Sequence, residues 1–234
     1  MTHLIYFLVC GLVIFFGAEK IRKYDLVFYF VSLALVLETS YRMYLSFSNY
    51  EVTYPFGLSN LMMAIDKGIL PTVIFIWVMF AGAFLNHWKM RKRIMICRGE
   101  LSIIASLLIL PHIVYYFMDF LAKSGHLAKL TGLGLWGVLV GAIAGIVAGL
   151  IMLPLYITSY KNIRKRLGGK QWKALQEYAY VFYGLVYLHI LAEYFAKGAE
   201  LRNHSAMLFY TVCFLTYLFM RVSKWRTMKR KRRV

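Results

Sequence analysis

Seven apolar stretches, each long enough or nearly long enough to cross a bilayer as a helix, follow one another from end to end of this chain. They run approximately over 3–18, 26–47, 69–85, 101–121, 133–157, 175–195 and 206–220. A bilayer core takes about 20 apolar residues per helix, and backbone groups left unpaired in lipid are too costly to tolerate. The expected fold class is therefore all-α, a polytopic membrane helix bundle of about seven transmembrane helices. Composition agrees: 61% of the 234 residues are hydrophobic and 16% charged, where a soluble domain has about half and about a quarter. Disorder is excluded on the same grounds. The first stretch starts without Lys or Arg, and no small-residue cleavage site follows it, so it is expected to be a retained span rather than a signal peptide.

Charge gives the orientation. Lys and Arg number 28 against 10 Asp and Glu, a formal net charge of +18. Only Lys67, Lys123, Lys129, Lys197 and Arg202 lie in the second, fourth and sixth connections, and Arg42 alone lies inside a span. All the others fall in the first, third and fifth connections and the tail. The positive-inside rule then places the N-terminus outside and the C-terminus in the cytoplasm. This pattern accounts for the basicity without nucleic acid, which is not an expected partner; the lipid bilayer is. The tail 229–233 can also touch anionic lipid, but anchoring the topology explains it sufficiently. The chain divides into 1–68 (two helices and an outer loop with a short amphipathic piece at 58–65), a core at 69–196, and 197–234 (a last span and basic tail).

Some motifs carry little. Gly132-Leu-Gly134-Leu-Trp-Gly137 matches GxGxxG but follows no strand, which a dinucleotide site requires. Gly137, Gly141, Gly145 and Gly149 instead make a smooth strip along the fifth span. Such strips serve close helix packing, and a cofactor wall is the other use of this one. Asn203-His-Ser205 fits a glycosylation acceptor only by a short, common pattern. Cys10, Cys97 and Cys213 have neither zinc nor disulfide spacing.

The histidines separate into two groups. His3, His87, His126 and His204 lie near span ends or in loops. His112 and His189 lie within apolar helices, where an ionisable side chain marks a candidate functional site. His112 is about 13 residues past Gly99 and His189 about 15 past Ala174, so both sit roughly 20 Å from the cytoplasmic side at 1.5 Å per residue. Imidazole is a common haem ligand. Spacing alone leaves two readings open: a porphyrin held between two helices, or histidines that merely hydrogen-bond to neighbouring helices. Arg42 follows Glu38 by four residues, which suits an intrahelical ion pair and, at the level of the histidines, also suits a haem propionate. Glu193, one turn after His189, is a candidate to orient a ligand or carry protons. Asp119 is read as interfacial.

The stretch from Arg91 through Arg98-Gly-Glu-Leu101, followed by Leu110-Pro-His112 and Tyr116, resembles the ferric reductase-like transmembrane domain. So do Thr158-Ser159, Arg166-Leu-Gly168, Trp172, Leu175, Tyr180 and His189. The resemblance covers roughly 69–195 and is nearest to haem b membrane subunits of the MsrQ (YedZ) type, which supply electrons to a periplasmic methionine sulfoxide reductase. It implies that His112 and His189 are the haem ligands. Two-haem members carry a second His on each of these helices, nearer the cytoplasm. Here those positions hold Arg98 or Gly99, and Gln176, so no inner haem is expected. MsrQ usually has His at the position of Gln176, and this chain departs from it there.

These readings combine into one expectation: a single haem b, metal ligands His112 and His189, Arg42 as a further cofactor-binding residue, and no catalytic side chain. Electrons are expected from a cytoplasmic flavoprotein or a membrane quinol, so a flavin from a partner or a quinone is a further cofactor. The acceptor is expected outside, as a redox partner protein or a ferric complex. Two alternatives remain: a small transporter with His112, His189 and Glu193 in a polar pathway, and a redox-inactive membrane scaffold.

Overall fold

The structure, a computed structural model, describes residues 2–52, 57–125 and 130–231. His126, Lys129, Arg232 and Arg233 lie outside the described residues. Those described form nine α-helices and one 3-10 turn, with no strand among them: α1 (Thr2–Lys23), α2 (Asp25–Phe47), α3 (Ser59–Asp66), α4 (Ile69–Ala83), α5 (Lys89–Ala122), α6 (Gly132–Ile157), α7 (Lys161–Leu167), α8 (Gly169–Ala196) and α9 (His204–Lys231). Six are long and apolar enough to cross a membrane, and a seventh span results if the bent pair α3–α4 is counted as one.

The helices outrun the apolar stretches that seed them. α1 continues to Lys23, α5 begins at Lys89 and α9 reaches Lys231. A polar turn at a span end still satisfies its backbone along the helix, so nothing forces the helix to stop where the apolar residues do. α5 bends instead at Cys97, whose φ of −118° and ψ of 20° separate the basic first turns from the apolar remainder.

The third span departs from the simple expectation. α4 has 15 residues, about 22 Å at 1.5 Å per residue, which is short of a bilayer core of about 30 Å. It tolerates this because it is central rather than lipid-facing. Val73, Ile74, Phe75, Ile76, Met79, Phe80, Ala81 and Ala83 are all buried, enclosed by α1, α3, α5 and α9. At its start the chain turns 69° out of α3. Gly68 makes the corner at φ +68°, a left-handed conformation open to glycine. α3 itself fulfils the amphipathic expectation, burying Met62, Ala64 and Ile65.

α6 and α8 form the most extensive helix pair and run antiparallel, Gly137 lying against Ala196 and Gly145 against His189. α5 packs on α1, α2 and α4 and more lightly on α6, and it scarcely meets α8 directly. α1 contributes Ile14, Ala18 and Ile21 to the core built by α4 and α5. α9 joins α4 through Tyr210 and Cys213 against Ile76, Met79 and Phe80. The two ends of the chain thus share the core of residues 69–196. The three cysteines are free thiols.

One ion-pair group ties the helices at the end that carries the basic connections. Lys161 Nζ lies 2.9 Å from Asp25 and 3.1 Å from Glu100, whose side chain is only 6% exposed. Hydrogen bonds to the two carboxylates hold the Lys161 ammonium above its ordinary lysine value. Its stabilising share is therefore fully present below that ordinary value and is lost as pH rises through the raised one. Lys161→Met leaves Glu100 buried without its cation, and we expect it to lower stability by about 1–3 kcal/mol. Thermal unfolding of the detergent-solubilised protein should show this at neutral pH, with the difference from wild type shrinking under strongly alkaline conditions.

Candidate functional site

His112 and His189 come together. Their ring centroids are 6.3 Å apart and the ring planes cross at 85°. Each is fixed by one hydrogen bond from Nδ1 to a main-chain carbonyl: His112 to Asp66 O at 2.9 Å, and His189 to Gly141 O at 2.8 Å. A carbonyl only accepts, so both Nδ1 atoms carry the proton. In neutral imidazole this leaves Nε2 with its lone pair, the tautomer that a metal requires. Neither Nε2 has a hydrogen-bond partner among the described residues. A second ring nitrogen that donates to a carbonyl is the usual support of a metal-binding histidine.

The local fold explains both supports. Asp66 is the last residue of α3, where a helix leaves its final carbonyls without partners. The corner at Gly68 turns one of them towards α5, and a Cβ at Gly68 would sit 3.3 Å from His112 Cγ and Nδ1. Gly141 belongs to the glycine strip of α6. A Cβ at Gly145, one turn on, would stand 3.1 Å from His189 Nδ1, and a Cβ at Gly149 would touch Ile113 at 3.6 Å. The strip therefore serves helix packing at Gly137 and seats the His189 ring at Gly145. The Tyr116 ring lies 4.5 Å from that of His112.

The arrangement suits a haem on two grounds. An imidazole nitrogen binds a metal at about 2 Å. Allowing about 1 Å more from nitrogen to ring centre, one metal between two rings puts their centroids roughly 6 Å apart, close to the distance found. Second, the rings project from α5 and α8, the two helices that scarcely pack on each other, with α6 beside both. Among the described residues no group of three or more His, Cys, Asp or Glu side chains is placed to hold a metal ion. A porphyrin-bound iron would make a smaller demand on side chains, and His112 and His189 are the two that would hold it.

The other candidates are distributed as follows. Arg42 Nε donates to Glu38 at 2.8 Å, the intrahelical pair its spacing suggested. Glu193 Oε1 lies over Gly141, 3.0 Å from where a Cβ would be, beside the carbonyl that holds His189. Asp119 pairs with Lys123 at 2.7 Å, as befits an interfacial residue. His3 packs on Phe209 and Tyr210, His87 lies in a turn, and His204 bonds to Tyr194 at 2.6 Å. Gly132 opens α6 with no strand described before it, so the GxGxxG reading finds no support. Asn203 Oδ1 accepts from the Ala206 amide and Ser205 hydroxyl at the head of α9. The site residues that the sequence reading missed are the carbonyls of Asp66 and Gly141. The Asp66-Lys-Gly68 turn signal was the available clue to the first.

Comparison with known proteins identifies the family. The family described as ferric reductase like transmembrane component matches residues 67–187, which include His112 and Gly141; Asp66 and His189 lie one and two residues beyond its ends. An uncharacterized protein of Treponema pallidum is 35% identical over 173 residues, covering 72% of this chain and 46% of its own. Magnetosome protein MamZ of Paramagnetospirillum magneticum is 35% identical over 82 residues, covering 35% of this chain and 12% of its own. The chain thus spans less than half the length of these relatives. No solved structure matches it.

Proposed function

The chain belongs to the ferric reductase-like transmembrane component family, and from that premise we propose that it is a multi-pass membrane electron carrier built around one b-type haem. His112 and His189 would hold the iron. The observation that carries this reading is the pair of imidazoles, both fixed through Nδ1 by main-chain carbonyls, with ring centroids 6.3 Å apart. A haem held by these two imidazoles would supply one-electron redox chemistry.

The chain's own residues do the rest. The Asp66 and Gly141 carbonyls hold each Nδ1 proton and so present Nε2 to the metal. The α3–α4 corner keeps the His112 ring from turning, and the bare backbone at Gly145 lets His189 lie close to α6. Arg42, paired with Glu38, is proposed to meet a propionate carboxylate, sharing its guanidinium between the two. Apolar helix faces exclude water.

The basic connections support an orientation with the N-terminus outside and the C-terminus in the cytoplasm. Electrons then enter from a cytoplasmic flavoprotein or a membrane quinol and leave to an acceptor outside, a partner protein or a ferric complex. Within the family we place the chain with the MsrQ type, for which an extracytoplasmic methionine sulfoxide reductase is the partner to test. Gln176 is where it differs. The experiment is reduction of a membrane-impermeant ferric complex by intact cells producing the protein. Wild type should raise the rate above the host background, and His189→Ala should return it to background. Equal rates for the two would remove a ferric complex as the acceptor, and equal rates from a protein that also purifies without haem would leave the transporter or scaffold.

A further inference from the structure

At the basic end of the bundle, about 20 Å along α5 from His112 at 1.5 Å per residue, several cations converge without counter-charge. Arg98 on α5 and Arg164 on α7 both stand over the ring of Trp172, 5.6 and 5.5 Å from its centroid. Arg91 lies within electrostatic range of Arg98 and of Lys224 on α9, and Arg221 is a neighbour of Lys224. Lys224 and Arg221 are partly satisfied by the carbonyls that end α4: Lys224 Nζ donates to Gly82 at 3.0 Å and Phe84 at 2.8 Å, and Arg221 to Gly82 at 3.2 Å. None of the five has a carboxylate within ion-pair distance among the described residues.

Two donors within this group are fully buried and unpaired: Arg91 Nε and the indole Nε1 of Trp172. A topology signal requires only that basic side chains lie in the connections. It does not require them to crowd around one indole or to bury N–H groups with nothing to accept from them, which is costly. Like charges gathered at a low-dielectric boundary repel strongly, and an anion among them would offset that repulsion and supply the acceptor that such donors lack. Guanidinium groups match the oxygens of phosphate in particular.

We propose that Arg91, Arg98, Arg164 and Trp172 form a binding site for a phosphate group at the inner membrane boundary. Basic pockets between transmembrane helices on this side suit phospholipid headgroups. A soluble phosphate ester presents the same chemistry.

The test uses the full chain purified in mild detergent. In one arm, wild type is offered equal amounts of phosphatidylglycerol and phosphatidylcholine, and retained lipid is read by native mass spectrometry. In the other, inorganic phosphate and pyrophosphate are titrated and thermal unfolding is followed. Selective retention of phosphatidylglycerol, with no effect of the free anions, assigns the site to lipid. Stabilisation by the free anions and displacement of the lipid assigns it to a soluble ester. Arg98→Gln and Trp172→Phe should each weaken whichever binding is found by roughly tenfold, the step expected for a lost charge-assisted contact. Lys173→Gln, an exposed change of equal charge, should not. Trp172→Phe keeps the ring and the net charge, so it decides the matter if the arginine variant fails to fold. Equal retention of the two lipids together with no response to phosphate or pyrophosphate overturns the proposal. So does binding that Trp172→Phe and Lys173→Gln leave equally intact.

Discussion

His112→Ala and His189→Ala should each abolish the haem absorbance of the purified protein. The expected loss is at least tenfold in haem per chain, because changing only a supporting partner of a metal ligand already costs about 10–100-fold in affinity. Each variant also leaves a space the size of an imidazole beside the site, so added imidazole should restore part of the Soret band. Rescue separates lost ligation from misfolding, which imidazole would not correct. A variant that keeps full absorbance would show that the residue is not a ligand. The two substitutions should act alike even though the residues are far apart in sequence, since both rings are held by the same kind of carbonyl contact.

The glycine strip gives the second large effect, and it is graded along α6. A Cβ at Gly137 would meet Ala196 N at 2.6 Å and Ala192 O at 2.8 Å, both backbone atoms of α8 that cannot move aside singly. Gly137→Ala should therefore force the tightest helix pair of the bundle apart, at about 1–3 kcal/mol for overpacking. At Gly145 the obstacle is the His189 ring at 3.1 Å. Gly145→Val should cost less stability than Gly137→Val but disturb the site more, lowering haem content and shifting the absorbance of what remains. Gly149→Ala meets only Ile113 at 3.6 Å, ordinary contact, and should be close to neutral in both measurements. Thermal melts paired with absorbance per protein resolve the three. A Gly145→Val protein with unaltered haem content and spectrum would contradict the seating of His189.

What the sequence disclosed, and what it concealed, follows from the range of each signal. The spans are local and long, so apolar runs located them, and the family match at 67–187 lies close to the stretch whose motifs suggested it. His112 and His189 stood out because an ionisable group in an apolar helix is expensive enough to need a reason. That their rings come within 6.3 Å of each other depends on helix packing, which spacing only hinted at through their common depth. The break between α3 and α4 was less visible, because 15 enclosed apolar residues look the same as a slightly short lipid-facing span. Backbone carbonyls carry no residue signature, so the Asp66 and Gly141 supports could not be read directly. Arg42 shows the opposite limit: its spacing from Glu38 fitted an ion pair first and a propionate contact as well, and the structure displays the ion pair. At Trp172 and Arg91 the basic residues read simply as orientation, since loop charge alone does not reveal which donors end up buried.

The central claim, one iron held between His112 and His189, is met most directly by electron paramagnetic resonance of the oxidised protein from haem-replete cells, combined with a haem-to-protein ratio. The account predicts one low-spin ferric haem per chain, with the signature of two axial imidazoles. A high-spin signal, or a protein that carries no haem, would contradict it.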